Sequence, residues 1–123
     1  MSLYDRQQAL ERGARAERVV ADALESDGWA ILSRNWRGGG GELDVVVERA
    51  GSLRFVEVKA RAAGDPTLED AVTPSKQRKL ARAANAWMLE NGFRDECAFM
   101  VAFVRFESDG WAIDWLDNAF DAG

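Results

Sequence analysis

Glu42, Asp44, Glu57 and Lys59 are the residues whose types and spacing could do chemistry together. They fall in two runs rich in Val and Phe, Glu42 to Arg49 and Ser52 to Ala60, with Ala50-Gly51 between them. Gly at the second position allows the positive φ that a tight hairpin turn needs. A two-residue turn at Ala50-Gly51 pairs Arg49 with Ser52, and a four-residue loop from Arg49 to Ser52 pairs Glu48 with Leu53. Both give the same register, which sets Asp44 opposite Glu57 and Glu42 opposite Lys59. Side chains alternate along a strand, so the four share one face. Directly opposed Cβ atoms sit roughly 4.5–5.5 Å apart. Two carboxylates that close repel each other, and a hard cation such as Mg²⁺ between them removes the repulsion. Lys59 then flanks the metal with a cationic donor, a set suited to activating water against a phosphodiester. The other reading of the same pattern is an ordinary half-buried strand, with charges toward solvent and valines toward the core. A three-residue loop or a bulge would change the register.

The elements that must position these groups follow the order helix, strand, hairpin, helix, hairpin. Residues Asp5 to Ser26 have helical periodicity, with Leu10, Ala14, Glu17, Ala21 and Leu24 on one stripe. Glu17 is the odd member, because an unpaired carboxylate facing a core is costly. It sits either at the stripe's edge, reaching water or Arg18, or among the acidic groups of the site. Asp27-Gly28 ends the helix, and Trp29 to Arg34 reads as a first strand. Asn35-Trp36-Arg37 leads into Gly38-Gly39-Gly40-Gly41, a run that is either a flexible connector or backbone free to approach a ligand. It is not a P-loop, since the Lys-Ser/Thr element and following helix are missing.

The second helix has Thr73 as N-cap, Pro74 at its first position and Gly92 as its stop, with Leu80, Ala84, Trp87 and Met88 on its apolar face. Lys76, Arg78, Lys79 and Arg82 crowd its N-terminal half, where the helix dipole is already positive. An anionic partner such as phosphate reverses that penalty; neutralisation by Glu69 and Asp70 just upstream is the other account. Cys97 to Glu107 is a long apolar strand that turns through Ser108-Asp109-Gly110 into Trp111 to Leu116. The five tryptophans are dispersed and read as core and edge packing rather than a base-stacking platform.

Composition narrows the chemistry. The 123 residues suit one domain over residues 1–123, and 47% apolar with 30% charged residues fits a soluble globular chain. Apolar runs fall short of the ~20 residues a membrane span requires. The polar stretch from Met1 to Glu11 has no secretory apolar core, so a cytoplasmic location is expected. The single Cys97 excludes an internal disulfide and a cysteine-built zinc cluster, and the absence of histidine excludes imidazole catalysis and ligation. Catalysis must therefore rest on carboxylates, lysine or a hard metal. A net charge of −5 argues against a generic nucleic-acid binder. However, the stretch from Arg54 to Arg94 has an excess of bases, while the chain from Asp95 onward is acidic with Arg105 its only base.

Gly-Glu-Leu-Asp at Gly41 to Asp44, Phe-Val-Glu-Val-Lys-Ala-Arg at Phe55 to Arg61 and Ala-Val-Thr-Pro-Ser-Lys-Gln-Arg-Lys-Leu at Ala71 to Leu80 resemble the YraN-type family of small, largely uncharacterised bacterial proteins. Gly13 with Glu17, and Asn35-Trp36-Arg37, fit its upstream pattern, so the resemblance covers nearly the whole chain. That family is similar to the PD-(D/E)xK nucleases, in particular the Holliday-junction-resolvase-like branch. The resemblance implies an α/β fold with a restriction-endonuclease-like core: a mixed central sheet of about five strands flanked by helices, in the order α-β-β-β-α-β-β. It makes Asp44 the motif aspartate, Glu57 and Lys59 the (D/E)xK pair, Glu17 the helix-borne acid, and Lys76 or Gln77 the polar residue on the following helix. The chain departs from the family pattern at Ala98 and Met100, where Arg and Asp are usual, and at Ala16, where a second glycine is usual.

The resulting expectation is a Mg²⁺- or Mn²⁺-dependent endonuclease acting on DNA, including branched or structured DNA, and, from the resemblance alone, a homodimer. Asp44 and Glu57 would hold the metal with the Val58 carbonyl, Lys59 would act on the attacking water, and Glu17 and Glu42 would assist. Arg34, Arg37, Arg61, Lys76, Gln77, Arg78, Lys79 and Arg82 would hold the nucleic acid. The alternative is a non-catalytic nucleic-acid-binding or protein-interaction module, with Glu42 and Lys59 joined as a cross-strand salt bridge.

Overall fold

A computed structural model describes residues 2–61, 72–93, 96–117 and 119. Its elements are α1 (Leu3–Ser26), β1 (Ala30–Gly38), β2 (Gly41–Arg49), β3 (Ser52–Arg61), α2 (Pro74–Asn91), β4 (Cys97–Glu107) and β5 (Gly110–Asp117). The strands form one sheet in the order β1-β2-β3-β4-β5. Neighbours are antiparallel except β3 and β4, which are parallel and have α2 between them in the chain. The fold is α/β with a mixed five-stranded sheet, in the element order that the sequence implied.

Among the described residues each face of the sheet carries one helix. Ala16, Val20 and Leu24 of α1 pack with Val45, Val47, Val56, Met100, Ala102 and Val104. Leu80, Ala83, Ala84 and Trp87 of α2 pack with Val46, Leu53, Phe55, Phe99, Val101 and Phe103 on the other face. β4 supplies both clusters by strict alternation, which is why it reads as one uninterrupted apolar run. The Trp87 indole N–H donates to Ser33 Oγ at 2.9 Å, so its polar atom is satisfied within the core.

The helix ends follow local chemistry. Thr73 accepts the Lys76 N–H with its side chain, Pro74 opens α2, and Gly92 closes it at φ 64°. The α1 stripe differs from expectation: it runs through Ala16, Val20, Ala21 and Leu24, while Leu10 is 69% exposed and Ala14 is exposed. The first turns of α1 are exposed, so among the described residues their periodicity finds no core to face. Glu17 is half-buried at the stripe's edge.

The turns set the strand registers. Ala50 and Gly51 have φ 51° and 80° and join β2 to β3 with Arg49 opposite Ser52, as the sequence required. β1 is longer than expected, continuing through Asn35-Trp36-Arg37 to Gly38, and Gly39-Gly40 form a second two-residue turn at φ 63° and 83°. The glycine run approaches α2 closely. A Cβ on Gly39 would lie 2.6 Å from the Arg82 carbonyl oxygen, and one on Gly41 2.7 Å from that of Lys79. Ser108 and Asp109 form the last turn, and Gly110 begins β5 opposite Glu107.

Candidate active site

The sheet divides where the motif residues lie. β2 and β3 pair from Arg49↔Ser52 to Val45↔Val56. Past that level β2 stays paired with β1 as far as Gly38↔Gly41, and β3 with β4 as far as Arg61↔Arg105. Asp44 and Glu57 are the first residues beyond the last pair, so the register is the expected one up to the point where the strands part. Across the opening the Asp44 carboxylate accepts the Val58 N–H at 2.8 Å, in place of a ladder bond.

The parting disturbs the two-residue alternation. Leu43 and Val46, three apart, both pack under α2, and on β1 Ser33 and Trp36 do the same. Asn35, between them, has φ 51°, a left-handed conformation that Asn adopts more readily than most residues. The four groups therefore do not assemble on one flat face. They gather at the mouth of the opening, where a cavity of about 330 Å³ is walled by Glu17 and Gly13 of α1, Gly41, Glu42 and Asp44 of β2, Glu57, Val58 and Lys59 of β3, and Lys76 and Lys79 of α2. A split sheet lets groups from both of its faces reach one space.

Burial, then the neighbouring Glu57, push the Asp44 carboxyl up to about 7; the Val58 N–H works the other way, and Glu17 and Glu42 add to the rise. Glu17 is also raised, by burial first; the Asn35 side chain hydrogen-bonds it and, with Arg34, holds the rise back. This is the partnership expected of Arg18, which is exposed. Glu57 is 9% exposed and has two ammonium partners on Oε1, Lys76 at 3.1 Å and Lys59 at 3.6 Å. Burial, then the adjoining Lys76, lower the Lys59 ammonium. Burial opposes the charge on Lys76 as well, but its hydrogen bond with Lys59 and the Glu57 carboxylate outweigh burial and raise it.

Glu42 meets Arg37 at 3.7 Å rather than Lys59, so the cross-strand Glu42–Lys59 bridge is replaced. Arg78 and Arg82 are exposed on α2 and do not wall the cavity. Gln77 donates to the Val72 carbonyl at 3.0 Å, fixing the entry to α2, and this amide contact is not directed at a ligand. The side chain of Arg61, and Glu69 and Asp70, lie outside the described residues. Of the two replacements, Ala98 pairs with Arg54, three residues before Glu57, whereas Met100 pairs with Val56, the neighbour of Glu57, and is buried on the α1 face. Sequence reasoning gave no role to Asn35, whose signal is only a turn-prone residue inside a strand pattern.

Among the described residues no three Asp, Glu, His or Cys groups close a metal cage. The donor set still fits a hard divalent ion: Asp44 and Glu57 offer carboxylate oxygens, Val58 a carbonyl, and the proximity of Glu57 is one of the causes that raise Asp44. Mg²⁺ is commonly held by one or two carboxylates and keeps several waters.

The sequence profile of the uncharacterised protein family UPF0102 matches residues 16–108. A UPF0102 protein of Pelobacter propionicus is 42% identical over 116 residues, covering 89% of this chain and 81% of the relative. One of Geobacter sulfurreducens is 39% identical over 112 residues, covering 89% and 88%. One of Chlorobium chlorochromatii is 42% identical over 119 residues, covering 89% and 91%.

Proposed function

This chain belongs to the uncharacterised protein family UPF0102, the YraN-type family, and we propose that within it the chain is a Mg²⁺- or Mn²⁺-dependent endonuclease that hydrolyses DNA, branched or structured DNA included. The observation that carries this reading is the meeting of Asp44, Glu57 and Lys59 at the opening between β2 and β3. Hydrolysis joins a water oxygen to phosphorus and breaks the phosphorus–oxygen bond to one sugar; a proton leaves the water and one reaches the departing oxygen. Asp44 and Glu57, with the Val58 carbonyl, would hold the metal, which when bound supplies charge at the scissile phosphate and acidifies water.

The chain's own groups divide the remaining work. Lys59, with its lowered proton affinity, orients the attacking water and is suited to take its proton. Lys76, an ammonium on the cavity wall, is suited to stabilise negative charge developing on the phosphoryl oxygens. Glu17 and Glu42 orient water at the cavity wall. Lys79 on the wall, with the exposed Arg34, Arg37, Arg78 and Arg82 outside it, attracts the phosphate backbone.

The test is a cleavage assay on labelled single-stranded, duplex, flapped and four-way-junction DNA with Mg²⁺, Mn²⁺ or EDTA, run beside Lys59→Ala. Metal-dependent cutting lost in the variant is the expected result. No cutting by the wild-type protein on any substrate would favour the second reading, a non-catalytic nucleic-acid-binding or protein-interaction module. The double ion pairing of Glu57 by Lys59 and Lys76 suits that reading as a purely structural contact.

A further inference from the structure

Gly13 lies in the interior of α1, where glycine is among the poorest helix formers. Neither conformation nor packing accounts for it. It is not among the residues of positive φ, and a Cβ placed on it meets no other group within 4 Å. Gly41, on the same cavity wall, is the contrast: a Cβ there would sit 2.7 Å from the Lys79 carbonyl oxygen. Gly41 lacks a side chain because α2 occupies the space. Gly13 lacks one although the described residues leave the space open.

That open space is the cavity. Gly13 precedes Glu17 by four residues, so the two share one helix face, and both line the cavity opposite the α2 lysines Lys76 and Lys79. Among the described residues no aromatic side chain lines it, so stacked bases have no platform there, whereas ammonium groups suit phosphate. We propose, building on the nuclease reading, that Gly13 is a substrate-contact residue. The sugar–phosphate backbone of the DNA crosses the α1 main chain at Gly13, with a phosphate held between it and the lysines of the far wall. A side chain at this position would occupy the strand's path.

The proposal separates stability from binding, which an ordinary structural glycine would not do. The test compares wild type, Gly13→Ala and Gly13→Leu, both replacements being good helix formers. Melting temperature, Mn²⁺ affinity by calorimetry and affinity for labelled duplex and four-way-junction DNA in Ca²⁺ are measured for each. The expected result is a melting temperature raised by roughly 3–6 °C in Gly13→Ala, Mn²⁺ affinity within twofold, and DNA affinity down at least tenfold in Gly13→Ala and further in Gly13→Leu. A lowered melting temperature in Gly13→Ala would overturn the proposal, because the glycine would then serve the fold. Unchanged DNA affinity in both variants would overturn it while leaving the nuclease reading standing. Failure of the wild-type protein to bind either DNA would overturn both.

Discussion

Lys76 Nζ lies 3.1 Å from Glu57 Oε1, closer than Lys59 Nζ at 3.6 Å, although Lys59 is two residues from Glu57 on the same strand and Lys76 comes from α2. The tighter contact with this buried carboxylate is thus the long-range one, and it ties the first turn of α2 to β3. Replacing Lys76 by Met should destabilise the chain by about 1–3 kcal/mol, since a buried charge loses its nearer partner. Lys59→Met should cost less. Urea unfolding of both variants, repeated in a Glu57→Gln background, checks the ranking; the difference between them should shrink when the carboxylate is gone.

Asp44 gives a pH dependence of definite sign. Its carboxyl titrates at about 7 in the folded chain, raised by burial and Glu57, against about 3.9 in an unfolded one. Between those values the folded state binds the extra proton, so this group's contribution is fully present below about pH 4 and lost as pH rises through about 7. Asp44→Asn keeps an oxygen to accept the Val58 N–H and carries no charge. It should flatten that decline and be more stable than wild type at pH 8, by on the order of 2 kcal/mol. Denaturation midpoints at pH 5 and pH 8 provide the check.

A divalent ion should reverse the same penalty. At pH 8, millimolar Mg²⁺ or Mn²⁺ should raise the melting temperature of the wild-type chain and leave Asp44→Asn where it was, because an ion that binds only the folded state stabilises it by mass action. Equal shifts in the two proteins would place the ion elsewhere.

The turn at Ala50-Gly51 is strained at its first position. Ala50 has φ 51°, a region that costs an ordinary L-residue roughly 1–2 kcal/mol and that Asn and Gly enter more easily. Ala50→Asn creates the preferred Asn-Gly turn and should stabilise by about 0.5–1 kcal/mol. The denaturation midpoint should rise with its slope unchanged.

Gly39 and Gly40 should respond unequally to alanine. Both have positive φ, 63° and 83°, but only at Gly39 would the new Cβ strike the α2 main chain, at 2.6 Å from Arg82 O. Gly40→Ala should cost about 1 kcal/mol from backbone strain alone, and Gly39→Ala at least 2–3 kcal/mol as α2 is pushed from the sheet. Thermal melts of the pair separate the two effects.

The parts of this fold that were legible in the sequence are those fixed locally. The Ala50-Gly51 turn and the alternating valines set the β2–β3 register, and Thr73, Pro74 and Gly92 bounded α2 without reference to anything distant. The α1 stripe was right at Ala21 and Leu24 but misplaced toward the N-terminus, because Leu10 obeys helical spacing in an exposed stretch, and periodicity does not say where the core ends. The left-handed turn at Asn35 and the parting of β2 from β3 depend on how three strands share hydrogen bonds. No window of sequence holds that information. The Lys76–Glu57 contact was equally hidden: Lys76 signalled a phosphate ligand through its charge, while its partner was set by where α2 crosses β3.

The parting of the sheet also fixes how stiff the site is. From Val45↔Val56 onward β2 is bound only to β1 among the described pairings, and β3 only to β4. Asp44 and Glu57 thus ride on two arms that share a pivot at that last pair, strapped together by the Asp44–Val58 bond. No ladder bond among the described pairings fixes the aperture between the carboxylates, so its width is set by that strap and by the helices packed on either face. An ion held there, as proposed above, would be selected by charge and ligand type more than by radius, whereas a closed cage of rigid donors measures size.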